Sequence, residues 1–443
     1  MNPYISDMRS MRERMRAALR KGMIAVLDVG SSKTACFVLE VDLARLDKAA
    51  GTAAHDVFGA VRVVGVGVTR SRGVRLGEIV DLDEAEKAIR TALEMAEKMA
   101  GARVDQVVAA VSGARPQSAS CYGEAAVEYD EVTVRDLSRA LSNCDWPERR
   151  AGREVIHALP VNYALDDGAP VADPRGMAAE NLIVDLHTIS VSTTALKNLS
   201  TCVKRCDLEL AGVVAAPYAA ALSSLVEDEK KLGAACIDLG AGVTNVSIFL
   251  RNQMIYAGSV RVGGDHVTQD ISAGLYMPEQ AAERIKTLHG GAVSTGLDNR
   301  DLIEAPHIAH DHPADRRNIS RSELIGVIRP RLEEILEKAR RKLDEGGFSE
   351  LPGSRIVLTG GGAQLTGVEE VAQRILGRQV RIGRPLRIGG LPEATTGPGF
   401  AAAVGLAIYA VRQQDELWDF EQVGALGGRR RIGAAFRWFR DHW

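Results

Sequence analysis

The stretch that decides the fold is "MIAVLDVGSSKTACFVLEV", residues 23–41. Two apolar, β-branched runs flank a Gly-Ser-Ser turn, which reads as strand, tight turn, strand. An acid, Asp28, stands two residues before Gly30. The same layout returns at 232–260 in "LGAACIDLGAGVTNVSIFLRNQMIYAGSV", where Asp238 stands two residues before Gly240. A repeated strand–turn–strand with the acid in the same place predicts two similar halves.

Working outward, "RVVGVGVTRSRGVRLGEIVD" (62–81) continues as strand and loop. "DEAEKAIRTALEMAEKMAG" (83–101) is an amphipathic helix stopped by Gly101. "VDQVVAAVSG" (104–113) is a buried strand, and short strands with one helix at "TVRDLSRALSNC" (133–144) follow. Helices are expected at 274–290, at 320–347 and in "GPGFAAAVGLAIYAVRQQ" (397–414). Before the last of these comes "SRIVLTGGGAQLTG" (354–367), a third apolar strand running into glycines.

Three glycine-rich turns after apolar strands share one chemistry. Glycine lets the backbone approach an anion closely and leaves N–H groups facing it. In "DVGSSK", Asp28 is placed to hold Mg2+ through water, Ser31 and Ser32 offer hydroxyls and amides, and Lys33 reaches a phosphate. In "DLGAGVTN", Asp238 repeats the acid, and Gly240 and Gly242 supply open backbone. Gly360, Gly361 and Gly362 make a flat surface for a purine. Each turn alone is common; together they fit a nucleoside triphosphate clamped between two lobes. The chain holds no GxxxxGK[ST], so it is not a P-loop protein, and no GxGxxG opens a helix after the first strand as a dinucleotide-binding dehydrogenase would require.

The order "DVGSSKT", "CIDLGAGVTNVSI", "IVLTGGGAQLTGVEE" resembles the two phosphate motifs and the adenosine motif of the actin, sugar-kinase and heat-shock ATPase superfamily. "AAPYAAAL" (215–222) and "GFAAAVGLAIYA" (399–410) look like its two connecting helices. More narrowly, residues 23–410 resemble the FtsA family of actin-like bacterial cell-division proteins. "SRGVRLGEIVDLDEAEKAIRTALEMAEKMAG" and "VIHALPVNYALDDGAPVADPRGM" carry the likeness to its inserted subdomain, and "AERIKTLHGGA", "VIRPRLEEIL" and "QVRIGRPLRIGGL" to its second half.

The resemblance implies an α/β, actin-like two-lobed fold with an inserted α+β subdomain at about 84–182 and a helical subdomain at about 258–350. It implies ATP and Mg2+ as cofactors, with Asp28 and Asp238 on the metal. Gly30, Ser31, Ser32, Lys33, Gly240, Gly242 and Thr244 would cradle phosphates. Glu283 and Lys286 would reach ribose and adenine, and Gly360, Gly361, Gly362 and Ala363 would flank the base. Arg331 would meet the acidic tail of FtsZ, the tubulin-like division protein. The implied function is a filament on the cytoplasmic face of the inner membrane that tethers FtsZ and recruits later division proteins through the insert.

Two departures matter. Ala216 stands where relatives of the superfamily carry a glutamate that positions the attacking water, and a methyl group cannot orient water. Asn245 stands where some carry a second acid. ATP binding with slow hydrolysis is the expectation.

The chain ends on "RRRIGAAFRWFRDHW" (429–443). On a 3.6-residue helix, Ile432, Ala435, Phe436, Phe439 and Trp443 form one apolar stripe, with Arg429, Arg437 and Arg440 beside or across from it. Aromatics that enter the headgroup boundary and arginines that meet anionic lipid describe an interfacial helix. Each arginine contributes about 1 kcal/mol at such a surface, so one tail binds reversibly and a filament binds by avidity. The plain alternative is a terminal helix docked on its own core. The acidic, glycine-containing linker at 412–428, the aromatics and the clustered arginines oppose it.

The remaining features narrow the class. Of 443 residues 46% are hydrophobic, and the net charge of -3 argues against a dedicated nucleic-acid binder. Six scattered cysteines fit unpaired thiols in a reducing compartment, and no apolar run is long enough to span a bilayer. "HIAHDHPADRR" (307–317) reads as a solvated loop rather than a metal site. The basic stretch 1–22 reads as a solvated extension or as a contact for lipid or a partner. The competing functions are a soluble small-molecule kinase of the same superfamily, which would need a carboxylate base in the cleft, and a pilus-assembly relative, which would lack the basic tail.

Overall fold

A computed structural model describes residues 3–49, 59–145, 152–166, 168–171, 173–306, 317–351, 353–412 and 416–417. Its frame is two five-stranded sheets with one plan. In the first lobe the strand order is Val61–Arg70, Lys33–Val41, Met23–Val29, Gln106–Val111, Glu209–Ala215. In the second it is Gln253–Val260, Thr244–Leu250, Ala234–Leu239, Arg355–Thr359, Val380–Ile382. Each sheet has two antiparallel pairings followed by two parallel ones. The repeat seen in the sequence is therefore a repeat of topology, and Asp28 and Asp238 sit at the same place, one residue before the end of each central strand.

The central strands are continuous apolar runs because helices cover both faces of each sheet. The wholly buried helix Ala216–Ser224 and the helix Ala401–Val411, buried but for Ala402, pack on one another between the sheets. Their approach depends on Gly405, where an added Cβ would lie 1.7 Å from the Ala219 carbonyl oxygen.

The helix Leu82–Ala100 is capped by Asp81, whose carboxylate accepts from the N–H groups of Asp83 and Glu84, and it stops at Gly101 in the left-handed region. It lies on the strand Val61–Arg70, where added Cβ atoms on Gly65 and Gly67 would reach within 2.1 and 1.8 Å of Ala96 and Ala92 carbonyl oxygens. The alternating glycines of "VVGVGV" are the seat of this helix. It belongs with the first-lobe sheet, as does the strand Gln106–Val111. The insert expected from about 84 to 182 is thus shifted. Its three-stranded sheet, Gln117–Ala126, Asn181–Ser192, Arg153–Leu165, spans 117–192 and carries the helix Val134–Ser142. The sequence displayed that helix's apolar face but not which sheet it covers.

The basic N-terminus is corrected more sharply. Residues Pro3–Arg20 form a helix that buries Met8, Arg12, Met15 and Ala18, and Arg14 Nε donates to the Leu210 carbonyl at 2.8 Å. It is a docked helix of the first lobe, not a solvated extension. In the second lobe the helices Gly264–Gly274, Glu279–His289 and Arg321–Glu345 form the helical subdomain, with a small hairpin of Leu302–Ala305 and Arg317–Ser320. All six cysteines are buried and unpaired. Among the described residues no helix is long and apolar enough to cross a membrane. The histidines of 307–312 and the tail residues Arg429, Ile432, Phe436, Arg437, Phe439, Arg440 and Trp443 lie outside the described residues.

Candidate functional site

The two phosphate turns face each other across the cleft between the lobes. An added Cβ on Gly242 would lie 2.3 Å from Ser31 Oγ and 2.9 Å from Leu76 Cα, so only glycine allows this approach. Ser31 Oγ accepts from the Gly77 N–H at 2.8 Å, which leaves its own proton for a ligand. Ser32 is exposed beside it, and Gly30 closes the turn by donating to the Lys33 carbonyl at 3.0 Å.

Asp28, Lys33 and Asp238 form the charged floor. Burial pushes the Asp28 carboxyl up to about 6, with Lys33 opposing and Asp238 adding to the rise. Burial likewise raises Asp238, against the Asn245 hydrogen bond and Lys33. Burial lowers Lys33, with both aspartates pulling it back. The Lys33 ammonium lies 4.4 Å from the centre of the Phe400 ring. Asn245 Nδ2 donates to Asp238 Oδ2 at 3.0 Å, while Asn245 Oδ1 is buried without a partner. Two carboxylates held against their preference to ionise and an orphan amide oxygen are a donor set that a hydrated divalent cation would satisfy. Mg2+ fits here.

The side of the cleft expected to meet adenosine is built from two helices and the third glycine turn. Lys286 Nζ contacts Glu283 Oε2 at 2.6 Å, Thr268 Oγ1 at 2.7 Å and the Gly264 carbonyl at 3.0 Å. The Thr268 hydroxyl also donates to Glu283. Burial raises the Glu283 carboxyl, but Lys286 and these hydrogen bonds outweigh it and hold it below the usual range. Gly360 has φ +85, and an added Cβ there would lie 2.4 Å from Asp238 Oδ1. The third turn is therefore fitted closely against Asp238. Gly361 meets nothing within 4 Å at its Cβ position, so its face is open, and Gly399 and Gln364 lie next to it.

Two expected contacts change. Thr244 is fully buried and its hydroxyl donates to the Val262 carbonyl at 2.8 Å, so it shapes the strand and does not present a hydroxyl to phosphate. Ala363 points its methyl into the second-lobe core, leaving only its backbone for a base. Thr268 and Phe400 escaped the sequence reading: the first is one polar residue in a helix, and the second, although inside the quoted 399–410 stretch, is one aromatic after a turn with nothing local to aim it at Lys33. Ala216 is 1% exposed at the start of its helix.

Arg331, on the helix Arg321–Glu345, is already paired. Its Nε and Nη2 hold both Asp270 oxygens at 2.6 and 3.0 Å, and its Nη1 holds Glu334.

Comparison with known proteins agrees with this architecture. Residues 235–405 match the family model described as cell division protein FtsA, and residues 113–190 match the SHS2 domain inserted in FtsA. The cell division protein FtsA of Rhizobium meliloti (strain 1021) is 38% identical over 95% of this chain and 95% of its own length. That of Agrobacterium fabrum is 40% identical over 92% and 90%, and that of Escherichia coli K12 31% identical over 89% and 92%. Among solved structures, a PilM-PilN type IV pilus biogenesis complex matches with TM-score 0.59 at 16% identity, covering 88% of this chain and 99% of that one. MreB5 of Spiroplasma citri bound to ADP matches with TM-score 0.52 at 15% identity, covering 87% and 95%. These structural likenesses establish the actin-like fold. With that fold, its inserted domain and full-length relatives in hand, the chain belongs to the FtsA family of cell division proteins.

Proposed function

We propose that this cell division protein binds Mg-ATP between its lobes, polymerises on the cytoplasmic face of the bacterial inner membrane at the division site, and tethers FtsZ there. The observation that carries the nucleotide reading is the facing of the two D-x-G turns, with Asp28, Lys33 and Asp238 between them. Asp28 and Asp238 hold the metal ion. Gly30, Ser31, Ser32, Lys33, Gly240 and Gly242 take the phosphates, Glu283 and Lys286 the ribose and base edge, and Gly360 to Gly362 the base face. Bound nucleotide supplies charge that joins the two lobes. Ala216 leaves no side chain to orient water, so turnover is slow.

Membrane attachment rests on the sequence of 429–443, whose apolar stripe and arginines suit an anionic surface. FtsZ binding rests on family membership, and Arg331 takes part by exchanging Asp270 for an acid of the FtsZ tail. Contacts of the insert with later division proteins belong to the same reading. The test is FtsZ recruitment to anionic liposomes in the presence of this protein and Mg-ATP. Recruitment that needs the full chain supports the tether. FtsZ remaining in solution while the protein itself is liposome-bound contradicts it.

A further inference from the structure

The docked N-terminal helix and the last described residues meet in a buried polar junction. Glu416 is fully buried, five residues beyond the helix Ala401–Val411. Its Oε1 lies 3.0 Å from His157 Nδ1, 3.0 Å from the Tyr409 hydroxyl and 3.3 Å from an Arg12 guanidinium nitrogen. Arg12 is 5% exposed and lies 4.9 Å over the Tyr409 ring. The Ala215 N–H donates to His157 Nε2 at 3.0 Å, so Nε2 carries no proton and Nδ1 donates to Glu416. Leu417 packs into the hydrophobic core of the insert together with Met8 of the N-terminal helix.

Four parts of the chain converge here. Arg12 comes from the N-terminal helix, His157 from the insert, Ala215 from the end of the first-lobe strand Glu209–Ala215, and Glu416 from the root of the C-terminal segment. A buried carboxylate is unfavourable unless fully paired, and such pairs specify an arrangement more than they add stability. We propose that the junction is a clasp: Arg12 and Glu416 hold the root of the C-terminal segment against the insert, and through His157 they couple that root to the Ala215 backbone at the end of a first-lobe strand. The basic N-terminal helix is thereby a clamp within the molecule. The clasp does not depend on what the nucleotide or the tail binds.

The test is hydrogen exchange on the full chain, comparing Glu416→Gln, Arg12→Met and the double variant. Each single change removes one side of the Arg12–Glu416 contact from the buried junction, so amide exchange in 153–165 and 209–217 should rise at least tenfold together with that of 401–412. Exchange in the second-lobe strands 234–239 and 355–359 should stay as in the wild type. The double variant, which removes both charges of the contact, should fall between the singles and the wild type. Tyr409→Phe, a milder loss of one donor, should move the same three segments less and covers the case in which a single variant fails to fold. Exchange that rises only in 401–412, or in both lobes in step, overturns the clasp.

Discussion

Asp238 and Gly360 stand so close that a methyl on Gly360 would lie 2.4 Å from the Asp238 carboxylate. The third glycine turn is thus fitted to the acid of the second. Gly360 also has φ +85, a conformation that resists any side chain. Gly360→Ala should lose roughly 2–4 kcal/mol of stability and weaken ATP binding at least tenfold. Gly361→Ala, where the added methyl meets open space, should keep stability within about 1 kcal/mol. Thermal melting and titration with a fluorescent ATP analogue check both.

Asp28 gives a pH dependence whose sign follows from its environment. Its carboxyl lies at about 6 in the folded protein against an ordinary 3.8. The folded state therefore holds the proton more tightly than the unfolded chain. The resulting stabilisation is fully present below the ordinary value and is lost as pH rises through about 6. Between pH 4 and 6 the ligand-free protein should lose at most about 3 kcal/mol from this group. Asp28→Asn should flatten that part of the profile in urea titrations. Mg-ATP added at pH 6 should release protons from the wild type and fewer from the variant, because the cation favours the carboxylate.

Arg331 is bound bidentately by Asp270, so an acidic peptide must displace a carboxylate to reach it. Asp270→Asn should raise affinity for the FtsZ tail peptide a few-fold by freeing the guanidinium. Arg331→Met should lower it at least fivefold, with stability changed by no more than about 1 kcal/mol, since the pair is partly exposed. Fluorescence anisotropy with the labelled peptide reads both. Equal affinities for all three proteins would place the peptide elsewhere.

The insert's seating offers a packing prediction. Ser118 Oγ donates to the Ala257 carbonyl at 2.9 Å, accepts from the Ala257 N–H at 2.8 Å, and lies 2.9 Å from His187 Nε2. One hydroxyl thus joins the insert to the edge strand of the second lobe. Ser118→Ala should cost about 1–3 kcal/mol, because it leaves buried groups of the other lobe unpaired. Urea unfolding measures the loss, and hydrogen exchange should show it concentrated in 253–260.

Much of the frame was legible because it is local. The two D-x-G turns, the third run of glycines and the buried connecting helices each declare themselves within twenty residues, and together they imply two like lobes with a ligand between. What was hidden is long-range. Arg12 reads as one more charge in a basic extension until Glu416 is seen beside it. Thr244 sits next to a phosphate turn in sequence, yet the direction of its side chain is set by Val262 on a later segment. The helix Leu82–Ala100 shows its apolar face, but only Gly65 and Gly67 say which strand receives it.

The most direct test of the tether is co-sedimentation with anionic liposomes in Mg-ATP, comparing the full chain with one ended after Gly428. The full chain should sediment with the liposomes, the shortened chain should stay in solution, and both should bind ATP alike. Equal sedimentation of the two would contradict the assignment of membrane binding to residues 429–443.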